Sequence, residues 1–370
     1  MNTPDKVIQD NTPLAVEIRR LIEQRGAIPL SRYMTLCLTH PEHGYYMSRD
    51  PFGISGDFTT SPEISQMFGE LLGLWATAVW QSMGAPDTIN LIELGPGRGT
   101  LMADALRATK VVPAFEQAIR LHFVETSPVL RDVQRLKLGQ TETIEWYDSV
   151  DGLPLEPAII LANEFFDAIA INQAVRQADG WYERTVTIND DGELAFGTGP
   201  QPLPNFEQTL PAAVRAAPLG AIFEWRPNQA TYELARRVRL GGAALIIDYG
   251  HAHSGLGSTF QALRNHRYDD PLGAPGIADL SAHVDFEALA HAATSMGARV
   301  HGPVTQRELL ASIGIEKRAQ GLKAGSPDRA QEIDAALARL TAEEETGMGQ
   351  MFKAIALSDP RLQSLPGFEA

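Results

Sequence analysis

Apolar positions recur at two different periods along the chain. Ile64, Met67, Phe68, Leu71, Leu72, Trp75 and Val79 fall at three- and four-residue intervals, the spacing of one helix face. Ser61-Pro62-Glu63 supplies a capping residue, a proline at the first position and an acid in the first turn. A helix is therefore predicted to begin there and to end at Met83-Gly84. Leu14–Gln24 reads as a shorter amphipathic helix, stopped by Gly26 and Pro29. Ser31–Asp57, rich in Gly, Pro, His and Tyr, reads as ordered loop with short helical pieces. From Thr88 the pattern shortens. TINLIEL, RLHFVET, ETIEWYD, PAIILANE and GAALIIDYG are brief runs of Ile, Val, Leu and aromatics, and several end in a polar or acidic residue. Helical stretches, Thr100–Thr109 and Pro128–Leu138, separate the early runs. Alternation of this kind predicts parallel βαβ units and a doubly wound sheet, whose ligands bind at the carboxyl ends of the strands.

After the fourth run, WYERTVTINDDGELAF carries an Asp191-Gly192 turn between two alternating segments, a hairpin signal within an insertion. Further helices are expected at Ala230–Leu240, Asp285–Met296 and Asp328–Glu345, a Gly/His-rich loop over Gly250–Pro275, and a last strand at Gln350–Leu357.

With 370 residues, 44% of them hydrophobic, the chain can bury a sizeable core. Its formal net charge of -15 argues against a nonspecific nucleic-acid binder, which needs a basic footprint, and is compatible with a cationic partner. Cys37 is the single cysteine, so the chain can build neither an internal disulfide nor a cysteine-based zinc site; a small buried apolar residue is the plain expectation for it. MNTPDKVIQDNTP has neither the basic and apolar regions of a secretory signal nor the Arg-rich, acid-free character of a transit peptide. The most apolar run, LLGLWATAVW, is about ten residues long and too short to span a bilayer. A cytoplasmic location without membrane insertion is expected.

The stretch LIELGPGRGT (Leu91–Thr100) narrows the ligand. A nicotinamide loop wants G-x-G-x-x-G, but counting from Gly95 the sixth position is Thr100, and Gly99 comes one residue early. Glu93 stands two residues before the first glycine, where a pyrophosphate would meet an anion. S-adenosylmethionine, with an ammonium, a sulfonium and no phosphate, suits such a loop; a dinucleotide oxidoreductase does not. Glu125, ending the second strand, can accept from both ribose hydroxyls. Asp148, after Trp146-Tyr147, can accept from the adenine amino group, although a lone acid after a strand is as often a turn or cap residue.

The chain resembles the MidA family of class I S-adenosylmethionine-dependent methyltransferases. The resemblance runs over about residues 14–360. It rests on HGYYMSRDPFGISGDFTTSPEISQMFGELLG (His43–Gly73), IELGPGRGTLMAD (Ile92–Asp104), ANEFFDAIAI (Ala162–Ile171), GGAALIIDYGH (Gly241–His251), APGIADLSAHVDF (Ala274–Phe286) and MGQMFKAIAL near the end. It implies an α/β, Rossmann-like fold: a seven-stranded, mostly parallel sheet with an antiparallel last strand, helices on both faces, an N-terminal helical cap and a β-hairpin insertion. The corresponding division is 1–85 for the cap and cofactor-covering segment, and 86–370 for the methyltransferase domain with its insertion at about 172–230. Mitochondrial members are complex I assembly factors that methylate an arginine of a core subunit. The resemblance therefore implies a protein arginine N-methyltransferase with a complex I subunit as partner. The missing targeting extension points instead to a bacterial member.

By the same resemblance, Gly95, Pro96, Gly97, Gly99, Glu93, Glu125, Asp148, Asn163, Thr60 and Ser61 would hold the cofactor. Methyl transfer is an in-line displacement governed by positioning, and the acceptor would reach the methyl near Asn163-Glu164-Phe165-Phe166-Asp167. NEFF there is unlike the N/D-P-P-Y/F loop of DNA amino-methyltransferases. Glu164 suits a guanidinium, whose planar fork a carboxylate can hold bidentately. A second acid would take the proton: Asp167, Glu63 or Asp57, the first two of which would also serve as acids at a helix N-terminus. Phe58, Tyr45 and Tyr46 could wall the acceptor channel or simply pack in a core. His251, His253 and His266 lack the spacing of a metal site, and no metal is expected. His283 belongs to a family-like segment with no role read from spacing. Two other functions stay open: an assembly chaperone that binds the cofactor with little catalysis, and a small-molecule methyltransferase.

Overall fold

The structure, a computed structural model, describes residues 12–48, 59–139 and 143–369. The chain builds two compact units that interleave along the sequence. The larger takes Thr59–Phe166, Asn228–Ala252 and Phe286–Ala370; the smaller takes the described residues up to 48, Asp167–Pro227 and His253–Asp285.

The larger unit is organised by a sheet whose strands are β1 Ile89–Leu94, β2 Ile119–Val124, β3 Ile144–Tyr147, β4 Ala158–Asn163, β5 Gly242–His251, β6 Arg299–Thr305 and β7 Phe352–Ser358. Along the hydrogen-bonded path the order is β6-β7-β5-β4-β1-β2-β3. Neighbours from β5 to β3 pair in parallel, and β7 runs antiparallel to both β5 and β6. Seven strands lie on this path. Order reverses at β1, where the chain leaves first towards β2 and later reaches β4. That switch point is where an open α/β sheet offers a crevice beyond its strand ends. Every residue of β1 and β4 is buried, as the continuous apolar runs require of strands covered on both faces.

Three helices frame the site: α1 Gln66–Ser82, α2 Thr100–Thr109 and α3 Pro128–Leu138. The long helix expected from Ser61 is divided. Ser61–Ile64 forms a single turn, Ser65 is extended at φ -161° and ψ 140°, and its hydroxyl accepts from Met67 N to cap α1 afresh. A serine is both a good cap and a poor helix interior, so it breaks the pattern that the apolar spacing carries through. Glycine lets α1 lie close on α2: a Cβ at Gly73 would stand 2.5 Å from the Ala105 carbonyl oxygen. The core of this unit gathers Phe68, Trp75, Val79, Phe115, Phe123 and Ile159 around these elements. Edge strand β6 and the helices Gln306–Ser312 and Ile315–Gly325 were not legible in the chain pattern; the expected final strand is β7.

In the smaller unit, Gly180–Ile188 pairs antiparallel with Asn172–Gln177, Leu194–Pro202 and Ile28–Pro29, and Asn172–Gln177 pairs with Ile222–Trp225. The hairpin expected at Asp191-Gly192 is the Gly180–Ile188/Leu194–Pro202 pair. Helices Pro13–Arg25 and Leu30–Thr39 supply Leu14, Ile18, Tyr33, Met34 and Cys37 to its core. Cys37 is free and fully buried, and burial pushes its thiol up to about 12. Tyr45 is buried in this core, so the packing alternative describes it; Tyr46 donates to Asp279 Oδ1 at 2.9 Å. The loop expected over Gly250–Pro275 contains a short antiparallel pair, Gln261–Arg264 with Arg267–Asp269. Among the described residues no helix is long and apolar enough to cross a membrane.

Candidate active site

At the end of β1 the chain turns through Gly95, Gly97 and Gly99 at φ 60°, 53° and 76°, each in the left-handed region that side chains resist. Gly99 then starts α2, and Gly95 has a second constraint: a Cβ there would lie 3.0 Å from the Phe165 ring. Pro96, Gly97 and Gly99 are buried. The loop thus exposes little side chain and brings backbone to whatever binds over it.

Two acids stand at adjacent strand ends. Glu93 is buried within β1, and its Oε2 has no hydrogen-bond partner among the described residues. Burial, and then the charge of Glu125, push its carboxyl up to about 8. Glu125, just beyond β2, is also held above the usual carboxylate range by burial. Hydrogen bonds from the Ser127 N–H at 2.8 Å and Gln134 Nε2 at 3.3 Å oppose that rise. Asn163 ends β4 with a second buried orphan acceptor, Oδ1. A buried acceptor without a donor is costly. The chemistry that relieves both is a ligand rich in donors, such as an ammonium with hydroxyls, and not a phosphate. The residues present therefore fit S-adenosylmethionine.

Glu164 follows Asn163 at φ 50°, and its N–H donates to Ile247 O at 2.9 Å. Its Oε1 accepts from the Ser61 N–H at 2.9 Å and from Asn163 Nδ2 at 3.1 Å. The Ser61–Ile64 turn is therefore tied to the end of β4. Ser61 is fully buried, and Thr60 precedes the turn half-buried in an extended conformation. From the same turn Glu63 accepts a hydrogen bond from the Thr100 hydroxyl, which in turn accepts from Lys137 Nζ at 2.7 Å. Asp148 is largely exposed and ion-paired with Arg131 at 2.7 Å, whose guanidinium also donates to the Glu125 carbonyl oxygen.

The larger unit thus brings together Glu93, the glycine loop, Glu125, Asn163, Glu164, Thr60, Ser61 and Glu63. Asp167 belongs to the smaller unit, where its carbonyl oxygen accepts from Ala282 N–H at 3.2 Å and Arg226 Nη2 at 3.4 Å. Asp57 and Phe58 lie outside the described residues. Among the described residues no group of three His, Cys, Asp or Glu could hold a metal ion, His251, His253 and His266 included. Gln134 and Asp248 join the site without standing out in the sequence pattern. Buried Asp248 ends the apolar run of β5 and accepts from the Phe166 and Tyr249 N–H groups, each at 2.9 Å. It shapes the turn that carries Phe165 and Phe166. A carboxylate closing an apolar strand was its visible signal.

Strand order, glycine loop and paired acids define a class I S-adenosylmethionine-dependent methyltransferase. The chain belongs to the S-adenosyl-L-methionine-dependent methyltransferase family whose model matches residues 71–304. It is 38% identical over 328 residues to the mitochondrial protein arginine methyltransferase NDUFAF7 of Danio rerio, covering 80% of this chain and 75% of that one. The Homo sapiens protein of the same name is 35% identical over 355 residues, with 87% and 78% covered. A Burkholderia thailandensis COG1565 superfamily member described as a likely methyl transferase, crystallised with S-adenosyl-homocysteine, superposes with a TM-score of 0.83 at 27% identity. That match covers 99% of this chain and 96% of that one. The relatives are named as mitochondrial, which overturns the cytoplasmic expectation. Composition at one end of a sequence reports a sorting signal and not the compartment in which the folded domain works.

Proposed function

We propose that this methyltransferase is a protein arginine N-methyltransferase whose acceptor is a subunit of respiratory complex I. The observation that carries the reading is Glu164. A non-glycine residue at positive φ costs about 1–3 kcal/mol and persists only where its surroundings hold it. Here Ile247, Asn163 and Ser61 hold it, and its carboxylate is fixed at the carboxyl end of β4. The names of the relatives at 35–38% identity support arginine as the acceptor.

When bound, the cofactor supplies a methyl group on a sulfonium. The protein's share is binding, orientation and proton handling. Glu93 would hold the ligand ammonium, Glu125 would accept from the ribose hydroxyls, and the glycine loop, Asn163, Thr60 and Ser61 would line the same site. Glu164 would pair with a guanidinium and draw positive charge away from the attacking nitrogen. Glu63 is the acid of the larger unit offered for the departing proton, and Asp148 the acceptor for the adenine amino group.

Glu164→Gln tests this. The variant should bind S-adenosylhomocysteine with nearly unchanged affinity, yet transfer methyl to arginine at least about a hundredfold more slowly, as expected for a lost charged group at the reacting centre. Mass spectrometry of the complex I subunits reads the product. Wild-type rates in the variant would remove Glu164 from the chemistry. Intact complex assembly without methylation would favour the chaperone function.

A further inference from the structure

We infer that Gln134 is a positioning residue for the methyl-donor site, fixing the glycine loop, the acid after β2 and strand β3 against one another through one side-chain amide. It is fully buried on α3. Its Nε2 donates to the Gly97 carbonyl oxygen at 2.7 Å and to Glu125 Oε2 at 3.3 Å, and its Oε1 accepts from Trp146 Nε1 at 2.8 Å. A Cβ on Gly99 would stand 3.6 Å from Gln134 Cγ, so the side chain also underlies the loop. An isosteric apolar side chain would fill the same space and leave the Gly97 carbonyl oxygen, Glu125 Oε2 and Trp146 Nε1 without this partner. The inference rests on the cofactor of the family and not on arginine as acceptor.

The groups that face Glu125 are Glu93 from β1, the Thr126 and Ser127 N–H groups, Gln134 and Arg131 from α3, and Asp148 behind Arg131. Among these, Gln134 also holds the loop. Without its donor, Glu125 keeps a proton to higher pH. A protonated carboxyl carries an O–H donor and accepts from the ribose hydroxyls more weakly than the anion does.

The test is calorimetric titration of S-adenosylhomocysteine across pH on the wild type, Gln134→Met and Trp146→Phe. In Gln134→Met the affinity should fall roughly tenfold or more, the worth of a hydrogen bond to a charged group. The pH at which affinity is lost on acidification should also rise. Trp146→Phe removes the third bond but keeps both donors. It should lower the melting temperature without moving that pH. Wild-type affinity and pH profile in Gln134→Met would overturn the inference, as would the same shift in Trp146→Phe. Should Gln134→Met not fold, the wild-type chain answers by NMR. The Trp146 indole proton, assigned by its loss in Trp146→Phe, should shift on ligand addition and again as Glu125 titrates; an unmoved signal overturns the inference.

Discussion

Glu93 ties the residue scale to a measurable proton. Its folded pKa, about 8, lies above that of an exposed carboxylate because burial disfavours the charge. For such an acid the contribution to stability is fully present below the unfolded pKa and is lost as pH rises through 8. The ligand-free chain should therefore lose stability as pH rises from the ordinary carboxylate range to about 8 and level off above it, and Glu93→Gln should flatten that loss. Binding a ligand with an ammonium reverses the preference, so near neutral pH a proton should leave as S-adenosylhomocysteine binds. Calorimetry in buffers of different ionisation heat counts that proton. Release of none, or equal release from Glu93→Gln, would place the ligand's cation elsewhere. Glu93 was legible because an acid ahead of closely spaced glycines is a chemical statement at one place in the chain. Gln134 was not, although a signal existed: it falls four residues after buried Leu130, on the face that an amphipathic helix reserves for apolar side chains.

Elements were legible where one period ran unbroken between stop signals. The spans expected for α2 and α3 are those found, because Gly99 and Gly139 bound them. The segment from Ser61 to Ser82 reads as one helix from its pattern but is two, since apolar spacing continues through a break that a capping serine makes. Edge strand β6 was missed because Gly302-Pro303 and its register shift interrupt the alternation. The strand–loop–helix at β1 and α2 carries its own prediction. Gly95→Ala would force a side chain to φ 60° and to 3.0 Å from Phe165, which leads into Phe166 and the Asp248 turn. A left-handed non-glycine costs about 1–2 kcal/mol before any clash. The melting temperature should fall by a few degrees, and S-adenosylhomocysteine affinity should drop by more than that stability loss accounts for. Equal drops in both would mean that the loop serves only the fold.

Over the whole molecule, the interleaving of two units was the least legible feature, because segments far apart in sequence are joined without a linear signature. The charge, by contrast, is visible at once and becomes specific only beside the acids of the site. On the proposed function, a chain with a net charge of -15 would draw a cationic acceptor from solution, while the transfer step would depend on groups such as Glu164 within the site. These contributions separate with salt, since exposed charges are screened over about 10 Å at 0.1 M ionic strength and buried ones much less. For a peptide presenting an arginine, kcat/KM should fall several-fold from low to physiological ionic strength while kcat stays nearly constant. Affinity for S-adenosylhomocysteine should change little, because Glu93 and Glu125 are buried. Initial rates across a salt series decide it. A salt-independent kcat/KM would mean that the acceptor is guided by shape or apolar contact, and would favour a small neutral acceptor over a basic protein segment.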